Sequence, residues 1–144
     1  MPSIDKVIEQ LESLVNSKGD LLIETEQGLE DLSMIEGWPK DYITFLVYSN
    51  GLYIGKFYDC NFYSLEEVLE ISAIEKDMKR EFKPASLVPI ASYYGDSIYM
   101  DYQDSLGTVY YSLEGIDDPV SLNLSFTDYM QKCIDCRFSV FWDN

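Results

Sequence analysis

The sequence predicts one α+β domain, and three observations carry that prediction. Apolar residues recur at helical spacing near both ends of the chain. The stretch after Pro84 changes to short apolar and aromatic runs broken by turn residues. No composition shift, internal repeat or low-complexity tract divides the 144 residues, which is an ordinary size for one domain. Apolar residues make up 47% and aromatics 15%, enough for one substantial core.

Ile4, Val7, Ile8, Leu11 and Leu14 mark an amphipathic helix, with Ser3 placed as its cap and Gly19 placed to end it. LLIET then reads as a short extended piece, and the acidic segment Gln27 to Glu36 fits a helix of two or three turns. Pro39 stands where a first helical residue belongs. Tyr42, Phe45 and Leu46 share one face of the helix it opens, and Asn50-Gly51 supplies a left-handed stop. The aromatic stretch LYIGKFYDCNFY fits one or two short strands or an ordered loop.

Ser64 and Glu67 have capping-box spacing, with Tyr63 and Val68 in staple positions. The predicted stripe of this helix is Leu65, Val68, Leu69, Ile71 and Ile74. Its continuation, EKDMKREFK, holds four of the ten bases and reads as a solvated helix end with ion pairs along the helix. SLVPIASYY, SIYMDY and TVYYSL, separated by Gly95-Asp96 and QDSLG, form an antiparallel meander. Ser125, with Asp128 three residues on, opens a last helix whose stripe is Phe126, Tyr129, Met130, Cys133, Ile134 and Phe138.

The order of these signals, PKDYITFLVYSNG, an aromatic region, YSLEEVLEI, LVPIASYYGDSIYMD, GTVYYSL and LSFTDYMQKC, resembles the SUKH superfamily over residues 30–135. That superfamily takes in bacterial toxin-immunity proteins and fungal cell-wall and glucan-synthesis regulators. Trp38 stands where leucine usually precedes the proline. The resemblance implies a single SUKH-like domain over 1–144, with a curved, mostly antiparallel sheet of about six strands and helices packed against it. It also implies a binding surface in place of an active site. No catalytic set carries over, because Pro39, Gly51 and Ser64 serve folding.

Charge narrows the partner. Acids number 26 against 10 bases, a formal net charge of -16 without any histidine, and residues 84–131 contain no Lys or Arg. Nucleic acid is a poor partner for such a surface, since binding phosphates requires clustered bases; a basic protein is favoured. No run nears the length needed to span a bilayer, and the amino terminus lacks the pattern of an export signal, so no membrane partner and a cytoplasmic location are expected. Cys60, Cys133 and Cys136 are too few for a disulfide framework, in keeping with a reducing compartment.

Chemistry finds little support. Without histidine, Ser-His and Cys-His arrangements are impossible within the chain, which leaves carboxylates as the acid-base candidates, and Asp101 and Asp104 sit near a turn that favours Asp for backbone reasons. Cys133-x-x-Cys136 lies along a helix with no second pair, so Cys133 reads as a buried small hydrophobe. No segment has EF-hand spacing and no glycine cluster forms a phosphate loop; no metal and no cofactor are expected.

What remains is tyrosine beside aspartate on the meander. Alternation places Ile98, Met100 and Tyr102 on one face, with Tyr99 and Asp101 on the other. Tyr94, Asp96, Tyr99, Asp101, Asp104 and Tyr110 are the predicted partner-binding residues. The expected function is a non-catalytic immunity protein that neutralises a basic toxin domain, such as a nuclease. The alternative is a regulatory or scaffolding module of the glucan-synthesis type.

Overall fold

The computed structural model describes residues 2–16, 21–55, 59–113 and 118–139. Among them are helices α1 (Ile4–Asn16), α2 (Lys40–Tyr48), α3 (Leu65–Asp77) and α4 (Phe126–Asp135). The strands are β1 (Ile23–Thr25), β2 (Leu52–Ile54), β3 (Cys60–Phe62), β4 (Leu87–Tyr93), β5 (Asp96–Asp101), β6 (Val109–Ser112) and β7 (Val120–Ser121). They pair in sequence order as one antiparallel sheet of seven strands, one more than expected. The additional pairing is short: β7 meets β6 only at Tyr110↔Ser121 and Tyr111↔Val120. The α+β class stands.

Local chemistry sets the helix starts. Ser3 Oγ accepts the Lys6 N–H at 3.3 Å, and Ser125 Oγ accepts that of Asp128 at 3.1 Å. The capping box at Ser64 is complete in both directions, through Ser64 Oγ and the Glu67 carboxylate. Pro39, predicted as the first helical residue, occupies the capping position instead, so α2 begins one residue later at Lys40, and the Pro39 carbonyl accepts the Ile43 N–H. Gly51, at φ 111, takes the left-handed turn after α2, while Asn50 Oδ1 accepts the Leu65 N–H and ties the exit of α2 to the start of α3. Gly19 lies outside the described residues.

The segment Gln27 to Glu36 is not the expected helix; within it only Ser33–Ile35 forms a 3-10 turn. Its backbone bonds are spent elsewhere. Leu29 N–H donates to the Leu46 carbonyl, and the Asn50 N–H donates to the Gln27 carbonyl. A Cβ at Gly28 would stand 1.8 Å from the Val47 carbonyl oxygen, so only glycine lets this strap lie on the end of α2.

One core joins α1, α2 and α4 to the sheet, through Val7, Leu11, Phe45, Phe62, Ile98, Met100, Phe126 and Tyr129, all buried. The Cys133 side chain belongs to this core, as expected. Tyr99 lies one register position from both Ile98 and Met100 and points to the other face, where the carboxyl end of α3 covers it. Strand β4 is consequently buried at nearly every position, because both its faces are covered. Ile74, placed by sequence on the buried stripe of α3, is 57% exposed.

Candidate functional site

The residues singled out on the meander divide into separate places. Tyr94 forms the β4–β5 turn at φ 53 and is 54% exposed. Asp96 beside it begins β5 and is buried. Asp101 ends the same strand, about 17 Å away at the usual strand rise, and Asp104 lies in the following turn. Tyr110, half-buried on β6, faces Tyr99 across the pair. Asp96 and Asp101 thus mark opposite ends of β5, a separation that one ordinary protein interface can span.

Tyr99 does not form part of an exposed face, which corrects the expectation from alternation. It is 1% exposed, and its hydroxyl donates to Glu75 Oε2 at 2.7 Å. Arg80 closes over it: Nη1 reaches Glu75 Oε2 and Tyr99 Oη, both at 3.1 Å, and Nη2 reaches Ser112 Oγ at 3.2 Å. The guanidinium also lies 5.0 Å from the Phe82 ring and 5.8 Å from the Tyr99 ring. The predicted solvated end of α3 thus folds back as a clamp on the sheet. Burial first, then the hydrogen bond to Glu75, raises the Tyr99 phenol far above its ordinary value.

The two aspartates at the far end build the turn. Asp101 Oδ1 accepts from Ser86 Oγ at 2.5 Å and from the Gln103 N–H at 3.0 Å. Asp104 accepts the Leu106 and Thr108 N–H groups at 3.3 and 3.1 Å, and the Thr108 hydroxyl as well. That hydroxyl, followed by the two backbone donors, holds the Asp104 carboxyl below its ordinary value. This is a structural Asx turn; its donors account for the carboxylates without any acid-base role.

The turn so fixed borders a cleft of about 870 Å³ that sequence reasoning did not find. Leu32, Trp38, Pro39, Ile43 and Leu106 supply its apolar lining, with Glu36 and Lys40 at its edge. Trp38 stacks between Tyr42 and Tyr102, at centroid distances of 6.1 and 5.3 Å. Gly107, at φ 65, brings the turn against Pro39: a Cβ there would meet the proline ring at 3.2 Å. Leu106 is 66% exposed and also walls a second cavity of about 430 Å³, lined by Asp41, Thr108, Ser125, Thr127 and Asp128. Asp41 accepts the Thr127 hydroxyl and joins α2 to α4 across that cavity. The available sequence signals were a Trp-Pro step and exposed apolar residues inside an acidic segment without helical period. The first was read as a helix start and the second as a helix of two or three turns.

Buried thiols complete the inventory. Desolvation raises both Cys60 and Cys133, the reverse of what a nucleophilic cysteine requires. Among the described residues no group of His, Cys, Asp and Glu is arranged to hold a metal, and no helix is long and apolar enough to cross a membrane.

A seven-stranded antiparallel meander with three helices in its core, a fourth clamped over its other face and clefts at its surface defines a small α+β domain. The SMI1 / KNR4 family (SUKH-1) model matches residues 29–132, and the chain belongs to that family. The matched range runs from the strap over α2 to most of α4 and includes both walls of the Trp38–Leu106 cleft. A comparison with curated proteins gave no match.

Proposed function

We propose that this chain is an immunity-type member of its family, a non-catalytic domain that binds a basic toxin domain one to one and blocks access to its substrate. The observation that carries this reading is charge. With 26 acids and 10 bases, the chain keeps a formal net charge of -16 even if every base pairs with an acid. The stretch without Lys or Arg, 84–131, takes in β4 to β7 and the first half of α4, so these strands carry no base of their own, and the Arg80 laid over β5 and β6 is paired with Glu75. Such a field accelerates encounter with a cationic partner while apolar contacts set the lifetime of the complex. Membership in a family that includes toxin-immunity proteins supports the same reading.

Of the predicted contact residues, Tyr94, Asp101, Asp104 and Tyr110 retain exposed surface and stay in the proposal, at separate places. Tyr99 and Asp96 are buried and would act only through the shape of the sheet. The free thiols Cys60, Cys133 and Cys136 fit action in the cytoplasm. The test is co-expression with a polymorphic-toxin domain, chosen from the neighbouring genes if one of them encodes it. Restored growth and a co-purifying pair are expected; a toxin that still kills, with no complex recovered, would exclude this pairing.

A further inference from the structure

We propose that the cleft between Trp38 and Leu106 is a docking groove for a partner segment carrying an apolar side chain next to a lysine or arginine. The inference deepens the reading of the chain as a binder of a basic protein and rests on it. The cleft, at about 870 Å³, exceeds what one side chain fills and lies within the range of built ligand sites. Its apolar wall is held rigidly. Leu106 is 66% exposed, yet its N–H is bonded to Asp104 and its carbonyl accepts the Phe126 N–H at 3.1 Å. Met34, 67% exposed, lies two residues from Leu32 on the facing strap. A leucine pinned in water on a structured turn, across from a stacked tryptophan, is a preorganised anchor: binding costs little further ordering.

Charge selects the occupant. Leu106 is the ridge between the apolar cleft and the second cavity, where Asp41 and Asp128 stand beside the hydroxyls of Ser125 and Thr127. Among the described residues no Lys or Arg lines that second cavity, and of these bases Lys40 alone lines the first. An apolar side chain in the first and an ammonium or guanidinium in the second would satisfy both from adjacent positions of one segment. A second copy of this chain is a poor occupant, since it would bring another net charge of -16 against the same acids.

The experiment titrates the full chain with an Arg-Leu-Trp-Leu-Arg peptide, read by amide and indole chemical shifts. Two control peptides replace arginine by glutamate, or the three apolar residues by serine. Shifts are expected to concentrate at Trp38, Leu106 and Thr127, with both controls at least about tenfold weaker. Leu106→Asp is expected to weaken the first peptide about tenfold although it adds an acid, which separates apolar docking from general attraction. Leu106→Ser serves as the second variant, and circular dichroism verifies that each variant folds. Shifts spread over all acidic surfaces, equal binding of the glutamate peptide, or no binding overturn the proposal. So does a dimer that Leu106→Asp dissolves, which would assign the cleft to a second copy. A mapped peptide with no toxin complex would keep the groove and remove the toxin. A toxin complex indifferent to Leu106→Asp would do the opposite.

Discussion

Arg80 shows how one side chain changes the reading of a whole face. Its charge is shared among Glu75, Tyr99 and Ser112 where the Arg80 and Glu75 side chains are only 22% and 12% exposed. An exposed pair would contribute at most about 1 kcal/mol, but removing the cation here strands a largely buried carboxylate. Arg80→Ala is therefore expected to lower unfolding free energy by about 2 kcal/mol; a urea titration giving a loss below about 0.5 kcal/mol would show that the clamp is no more than a surface pair. Asp104 makes the complementary case. Its native carboxyl lies below the ordinary aspartate value of 3.8, so it stabilises the fold above that value and loses this contribution as pH falls from 3.8 through the native value. Asp104→Asn should be less stable near neutrality by about 1 kcal/mol and should lack that acid-side decline. Parallel slopes of stability against pH for the two proteins would contradict this. Neither role was legible in the sequence. Alternation correctly placed Tyr99 opposite Ile98, but alternation gives a face and not what covers it. The covering residues, Glu75 and Arg80, lie 24 and 19 positions away.

At the scale of elements, the sequence was most readable where the determinants are local. The caps at Ser3, Ser64 and Ser125 are contacts across three residues, and all three form as their spacing predicts. The strap over α2 was misread because its partners are distant: its acidic residues suit a helix, yet Leu29 bonds Leu46 and Gln27 bonds Asn50 instead. Tertiary hydrogen bonds there outweigh propensity. Gly28→Ala tests the point. With the Val47 oxygen 1.8 Å from the new methyl, the strap must lift, and a loss of about 2 to 3 kcal/mol is expected by chemical denaturation. A neutral substitution would mean that the strap tolerates displacement. The cleft was hidden for a related reason: its walls, residues 32–43 and 105–106, are contiguous only once the β5–β6 turn reaches Pro39.

For the whole molecule, composition and element order were informative without any coordinates. The order from Pro39 to the last helix points to the family that the match over 29–132 establishes, and the net charge of -16 is the basis for proposing a cation-rich partner. Composition could not distribute that charge or tell which aspartates are structural, which is why Tyr99 and Asp96 were taken as exposed although both are buried. Long-range attraction has a specific signature: it raises the association rate and is screened by salt over a Debye length, while the close contacts that govern dissociation are much less affected. The most direct measurement is the association rate of this chain with a toxin domain that it is proposed to neutralise, across salt concentrations. The account predicts a one-to-one complex whose association rate falls at least about tenfold between about 0.05 and 0.5 M salt while its dissociation rate changes little. An association rate indifferent to salt, or no complex at any salt, would contradict it.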